Sequence, residues 1–326
     1  MQLKKVTIFL IIALSLASSA ASGQDVAYSQ FYANPIYLNP ALAGNKLVPR
    51  ITLNYRNQWP AIKKGYVSYS ACWDMFVEKI NGGVAFQVNT DRMQTMNAFS
   101  AAAAYAYQVR ISDKLTSDLA LQVGYFQYSL NWDKLIFEDQ ILTGEPTKEI
   151  PPDKLSRGSV DFTSGVVFGY NERLYFGAVA SNLNRPDIAF YGTNTNRLPM
   201  RYTFHVGSLI SLRQGVEGGG EKKEFSLSPN IVYMQQGEFH QLNTGMYVTM
   251  FPFVVGLWHR HYFQNPDAVI LLLGLENKSM KIGYSYDLTV SRLTTNTGGA
   301  HEISFAWLLS PPKKEIRYRA IKSPTF

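Results

Sequence analysis

Few residues of this chain have the type and spacing that catalysis or metal binding would need. His259 and His261 are two apart, so on a β-strand both lie on one face, as a pair of metal ligands would. No acidic residue or cysteine stands beside them, and histidines at a membrane interface or in a lumen are the favoured interpretation. His205 and Ser208 cannot form a nucleophile and base, because their odd spacing puts them on opposite faces of one strand.

Two further stretches carry charge without a recognisable site. GVEGGGEKK, residues 215–223, lacks the spacing and the terminal Ser or Thr of a phosphate-binding loop. The net charge of +7 could indicate a nucleic acid, but Lys and Arg cluster with an aromatic residue only in KKEIRYRAIK, residues 313–322. We therefore predict no enzyme, no catalytic, cofactor-binding or metal-binding residue, no cofactor and no nucleic-acid partner.

The first 23 residues predict export. Lys4 and Lys5 precede an apolar run and then small residues up to Gly23, which is the order of a secretory signal peptide, 1–23. Cys72 is the single cysteine, so a disulfide within the chain is excluded.

Composition and periodicity indicate a membrane β-barrel. Charged residues make up 17% of the chain, against roughly 25% in soluble proteins. After the signal peptide, even AVILLLGL is shorter than the ~18 apolar residues of a membrane helix. Stretches such as VDFTSGVVFGY, residues 160–170, alternate apolar with polar or small residues, as half-lipid-facing strands do.

Counting such stretches predicts an all-β outer-membrane barrel of about fourteen antiparallel strands over residues 50–310. Connections alternate between short turns and long loops, and the long loops 129–157, 183–199 and 288–299 fit the outside of the cell. Both termini are then expected in the periplasm, the C-terminal one as a tail, 311–326. QGVEGGGEKK is the exception, since it is long for a periplasmic turn. Aromatic residues at strand ends predict interface girdles against outer-membrane lipid: Trp59, Tyr66, Trp132, Tyr175, Trp258 and Tyr262.

The segment 24–49 carries two Asn-Pro phrases, Asn34-Pro35 and Asn39-Pro40, followed by Gly44. Proline removes backbone donors and restricts the preceding residue, so this segment cannot form a lipid-facing strand. Its many apolar side chains should nevertheless avoid water. We predict an irregular plug in the barrel mouth or lumen; a periplasmic arm on the rim is the alternative.

Several motifs resemble the PorP/SprF family of Bacteroidetes outer-membrane proteins. They are SQFYANPIYLNPALAG (29–44), NYRNQWP (54–60), GGVAF (82–86), IGYSYD (282–287) and GGAHEISF (298–305). The resemblance implies a barrel of the type IX secretion system that exports or anchors a secreted cargo or adhesin with a type B C-terminal sorting domain, and in many members supports gliding motility. Other members connect the periplasmic secretion ring to the outer membrane. It supplies no catalytic residues.

Loops that grip a cargo need aromatic anchors, and the candidates are Trp132, Phe137, Phe190 and Tyr191. Packing of one loop on another is the alternative role for them. A second function stays open, since fatty-acid transport barrels also have fourteen strands, a plug and an Asn-Pro-Ala phrase, matched here by residues 39–41. Such a transporter of a hydrophobic small molecule would need an apolar cavity through the plug. A passive structural porin is the third possibility.

Overall fold

The chain is described here from a computed structural model. The structure describes residues 28–62, 65–171, 173–191, 196–213, 225–263, 265–290 and 297–309. The predicted signal peptide, the predicted tail 311–326 and the glycine-rich stretch 215–223 lie outside the described residues.

The described strands form one antiparallel sheet that closes on itself. β8 and β9 are two parts of one strand, because both pair with β10. β1 pairs with β15, so the sheet is a closed ring of fourteen strands. The strands are β1 (Arg50–Gln58), β2 (Tyr66–Val77), β3 (Gly82–Met93), β4 (Met96–Arg110), β5 (Leu115–Leu130), β6 (Ser156–Tyr170), β7 (Leu174–Ser181), β8 (Arg201–Ser208), β9 (Ile210–Arg213), β10 (Phe225–Gln236), β11 (Phe239–Met250), β12 (Phe253–Tyr262), β13 (Asn265–Glu276), β14 (Met280–Thr289) and β15 (Ala300–Leu308).

The predicted fourteen-stranded barrel is therefore confirmed, and so is the alternation that predicted it. Along β12, Val255 and Leu257 are about half exposed on the outer wall, while Trp258 and Arg260 are buried inside. β13 departs from the rule, because its inward side chains are apolar as well. Ile270 is one of them, and it belongs to the apolar cluster that fills this part of the lumen.

The two ends of the barrel differ in their connections. We call turn rim the end where β1 begins, β15 ends and hairpins such as β13–β14 are short. We call loop rim the opposite end, which carries the long connections 131–155 and 182–200. In the described part of the chain, no helix is long and apolar enough to cross a bilayer. Helix α2 (Glu138–Thr143) and the 3₁₀ turns η2 (Glu78–Ile80) and η3 (Trp132–Lys134) lie in connections.

The residues before β1 lie inside the ring of strands. Helix α1 (Pro35–Leu38) and the 3₁₀ turn η1 (Pro40–Leu42) form the folded part of this segment. We name Tyr28–Asn45 the N-terminal segment; nearly all of it is buried.

Candidate functional site

The two Asn-Pro phrases begin helical turns within the N-terminal segment. Pro35 and Pro40 stand in the first turns of α1 and η1, where a missing N–H costs nothing. The Asn39 side chain accepts a hydrogen bond from the N–H of Ala41 at 2.9 Å and so caps η1. The expectation of irregular backbone is therefore wrong over these residues, because proline at the start of a helix favours the helical turn.

Both asparagines also bind the barrel wall. The Asn34 amide donates to the Ser70 hydroxyl at 2.9 Å and accepts from Gln87 at 3.0 Å. The Asn39 amide nitrogen lies 3.1 Å from the Val166 carbonyl, to which it donates. Each phrase thus pairs a proline that starts a turn with an amide that fixes this turn to the wall.

A group of buried charges holds the start of the segment. Glu302 on β15 accepts the N–H groups of Ser29 and Gln30 at 2.7 and 3.1 Å. Arg56 donates to Glu302 at 3.1 Å and to Asp287 at 2.9 Å. Charges this deep require partners. We name Arg56, Arg260, Asp287 and Glu302 the charge cluster; its two cations and two anions balance, and Arg260 lies 3.0 Å from Asp287.

Aromatic side chains fill the lumen on the other side of the segment. The rings of Phe31 and Trp258 lie 5.3 Å apart, and the Tyr175 hydroxyl donates to that of Tyr32 at 2.7 Å. Tyr175 and Trp258 are 2% and 1% exposed. Their assignment to lipid-facing girdles is therefore wrong, because both occupy inward positions of their strands, where the segment supplies aromatic partners.

The segment leaves the lumen through Gly44. Its φ of +67° lies in the left-handed region, and a Cβ there would come within 2.8 Å of the Gly83 Cα atom. The Gly44 N–H donates to Asp74 at 2.9 Å, and Asp74 also binds Arg50 at the start of β1. These contacts lie where the chain passes from the segment into the first strand.

A cavity of about 150 Å³ remains between the segment and the wall formed by β3 to β8. Its lining is mixed: apolar side chains such as Ile36, Phe99 and Leu198 alternate with polar ones, which include Gln87, Asn89, Asp91, Gln122 and Asp161. An acyl chain would have to displace water from these groups without replacing their hydrogen bonds. The cavity is therefore not the wholly apolar passage that a hydrophobic ligand would need.

On the loop rim, the four aromatic candidates differ in exposure. The rings of Trp132 and Phe137 lie 4.8 Å apart and pack on each other, and Phe190 is half-buried. Tyr191 is 51% exposed, and its hydroxyl donates to the carbonyl of Ile150 at 3.3 Å, which joins the two long loops. Much of this aromatic surface is thus used in packing the loops themselves.

The same loops expose aliphatic residues that the sequence analysis did not single out. Ile136, Ile141, Leu142 and Ile150 are between 73% and 79% exposed. The sequence could have pointed to them, because they lie in a loop predicted outside the cell. Aliphatic side chains in such a loop are expected to be covered by other groups rather than left in water. We name these four residues the aliphatic patch.

The two histidines with metal-ligand spacing lie on the outer side of β12. Their rings stack with centroids 6.1 Å apart, and His261 also contacts Phe263 near the loop rim. Of the two predicted locations, the outer interface applies and the lumen does not. The residues that the structure describes contain no group of three or more His, Cys, Asp or Glu side chains that could hold a metal ion.

Three solved structures with a similar fold are distant in sequence. The KdgM porin has a TM-score of 0.40 at 6% identity, over 80% of this chain and 99% of the porin. Omp33 of Acinetobacter baumannii has a TM-score of 0.44 at 4% identity, over 81% and 99%. The TodX deltaS2S3 mutant, a monoaromatic hydrocarbon channel, has 0.40 at 8%, over 79% and 88%. Scores this low carry no argument about function.

No curated protein matches the sequence. A family model does, and it spans residues 20–307, which is most of the chain. Its match includes the N-terminal segment, the charge cluster and every strand of the barrel except the last residue of β15. The chain therefore belongs to the family of type IX secretion system membrane proteins PorP/SprF.

Proposed function

We propose that this protein is a non-enzymatic outer-membrane partner barrel of the type IX secretion system. It exports, or holds at the cell surface, a secreted cargo or adhesin with a type B C-terminal sorting domain, and it supports gliding motility where that cargo is a motility adhesin. Family membership supports the secretion role, and the filled lumen supports a role that does not depend on an open channel.

The observation that carries the proposal is how completely the N-terminal segment occupies the lumen. All fourteen strands contribute at least one buried inward side chain, and Gln30, Asn39 and Leu42 of the segment are fully buried. Three separate sets of contacts hold the segment: the charge cluster, the two asparagine amides and the Gly44–Asp74 bond. A barrel filled in this way acts through its rims.

We place the loop rim outside the cell and the turn rim in the periplasm, following the loop lengths. The tail 311–326 then follows β15 into the periplasm, where it can meet other secretion components. Ser29 binds Glu302 and Arg56 in the half of the lumen nearer to the loop rim. The predicted signal peptide and a mature start at Gln24 remain part of the proposal.

The alternative, transport of a hydrophobic small molecule, has less support. It needs an apolar passage beside the plug, whereas the cavity that the structure describes there mixes apolar side chains with amides and carboxylates. Copurified acyl chains in the native barrel would favour this alternative.

The experiment deletes the gene for this chain and measures every protein on the cell surface by quantitative labelling. The proposal expects one or a few secreted proteins with a type B sorting domain to disappear from the surface and to return on complementation. An unchanged set of surface proteins would contradict it. Purification of the barrel from detergent-solubilised outer membranes then tests for secretion components.

A further inference from the structure

The aliphatic patch lies on a loop that is ordered by its own hydrogen bonds. The Asp139 carboxylate accepts from the N–H of Gln140 at 2.8 Å, from the Thr147 hydroxyl at 2.9 Å and from the N–H of Lys148 at 2.7 Å. Gly144, at a φ of +72°, ends α2 with a bond from its N–H to the Gln140 carbonyl at 3.0 Å. The stretch from 139 to 148 is therefore closed on itself.

Contacts with neighbouring elements fix the two ends of this stretch. The Trp132–Phe137 ring pair precedes α2, and the Tyr191 hydroxyl binds the Ile150 carbonyl after it. Because the loop is held in one conformation, it cannot rearrange to bury its aliphatic side chains. Ile141 and Leu142 on α2 stay 73% and 76% exposed as a result. Single exposed aliphatics are ordinary, but four within fifteen residues of a fixed loop make this loop a candidate interaction surface.

The charge of the loop indicates which surface would fit. Residues 131–155 contain six acidic residues and three basic ones, a net charge of −3 in a chain whose total is +7. The acidic residues are Asp133, Glu138, Asp139, Glu145, Glu149 and Asp153. A basic partner would be attracted, whereas an anionic lipid surface would be repelled.

We propose that the aliphatic patch and its acidic surroundings dock a protein surface on which an apolar area is bordered by Lys and Arg. This inference rests on the proposed function, since the partner is the secreted protein that the barrel holds. It assigns the apolar contact to Ile136, Ile141, Leu142 and Ile150 and the electrostatic attraction to the acidic residues between them. The predicted aromatic anchors Trp132 and Phe137 then order the start of the loop by packing on each other.

The test uses the full chain at its own locus and, as the probe, the surface protein that gene deletion removes. The double substitution Ile141→Ser with Leu142→Ser should reduce its retention at the surface at least tenfold. Ile111→Ser is the matched control, because Ile111 is an exposed aliphatic residue at the turn rim and should leave retention unchanged. Barrel level and heat-modifiable mobility on gels verify folding.

A charge arm tests the chemistry of the partner. Glu145→Lys with Glu149→Lys should weaken binding of the purified probe at low salt and flatten its salt dependence, while Glu78→Lys at the turn rim should do neither. Affinity that does not change with salt, in the wild type and in the loop variant alike, would overturn the basic character of the partner.

The outcomes separate this inference from the function on which it rests. Loss of the probe on deletion, with full retention in the Ile141/Leu142 variant, overturns the docking surface and leaves the proposed function standing. No loss on deletion overturns both.

A photoreactive residue at position 150 of the otherwise unchanged chain should attach to the probe beside Lys or Arg; attachment to lipid alone would overturn the docking surface.

Discussion

Arg56 on the first strand and Glu302 on the last form an ion pair of 3.1 Å, and their side chains are 2% and 0% exposed. The pair spans the junction at which β1 and β15 close the ring, and Arg56 is opposite Glu302 in the register. The same carboxylate accepts the N–H groups of Ser29 and Gln30. One buried carboxylate therefore links closure of the barrel with attachment of the segment that fills it.

Glu302→Gln should destabilise the barrel strongly. It leaves Arg56 and Arg260 opposite Asp287 alone, and an unbalanced buried charge costs about 3–5 kcal/mol. Urea unfolding in lipid vesicles measures the change. Arg110→Gln is the control, because its ion pair with Asp113 is largely exposed and should contribute about 0–1 kcal/mol. Equal unfolding midpoints for the two variants would contradict this role of the cluster.

Gly44→Ala should loosen the junction between the segment and β1. The new Cβ would be strained at a φ of +67° and would press on the Gly83 backbone, at a combined cost of about 1–3 kcal/mol or more. Hydrogen exchange should rise over the segment. Gly144→Ala is the control, because Gly144 has a similar φ but lies in loop 131–155 with no atom within 4 Å of the new Cβ, and it should leave exchange over the segment unchanged. Similar exchange over residues 28–45 in both variants would contradict this role of Gly44.

Trp258 and Trp73 should respond differently to brominated lipid. Trp258 is 1% exposed and packs on Phe31, while Trp73 is 39% exposed on the outer wall of β2. Single-tryptophan variants in brominated vesicles should therefore show strong quenching for Trp73 and little for Trp258. Quenching of Trp258 would instead restore the girdle assignment that the structure overturns.

The order of loop 131–155 should depend on pH through Asp139. Hydrogen bonds, chiefly from the Lys148 N–H, hold the pKa of this carboxyl below its ordinary range. A lowered pKa in the folded loop favours the folded form above the ordinary carboxyl pKa, near pH 4, and this contribution disappears as pH falls through the lower value. A protease that is active in acid should therefore cleave within residues 139–148 faster as the pH falls through this range. The Asp139→Asn variant should be cleaved readily at neutral pH as well. If that variant resists proteolysis, Asp139 does not order the loop.

The sequence predicted the barrel well because the side of a strand on which a residue lies follows from its odd or even position, which is a local property. Alternation of single residues is enough to assign Val255 outward, and the fourteen strands follow from repeated alternation. Trp258 was misplaced because proximity to a strand end suggested the lipid interface, although parity already pointed inward. The partners of Asn34 and Asn39 could not be predicted, since Gln87 and Val166 are far away in sequence.

The aliphatic patch was missed for a related reason. Whether Ile141 and Leu142 are covered depends on how Asp139 closes its loop onto Thr147 and Lys148, which the sequence does not reveal. Aromatic content alone pointed instead to Trp132 and Phe137, whose rings pack on each other.

The filled lumen is the central claim, and conductance in planar bilayers tests it most directly. The purified wild-type barrel should insert and show no sustained open current. Glu302→Gln combined with Gly44→Ala should show opening events, because both ends of the segment are then weakened. Arg110→Gln should stay closed like the wild type. A large, steady current through the wild-type barrel would contradict the account.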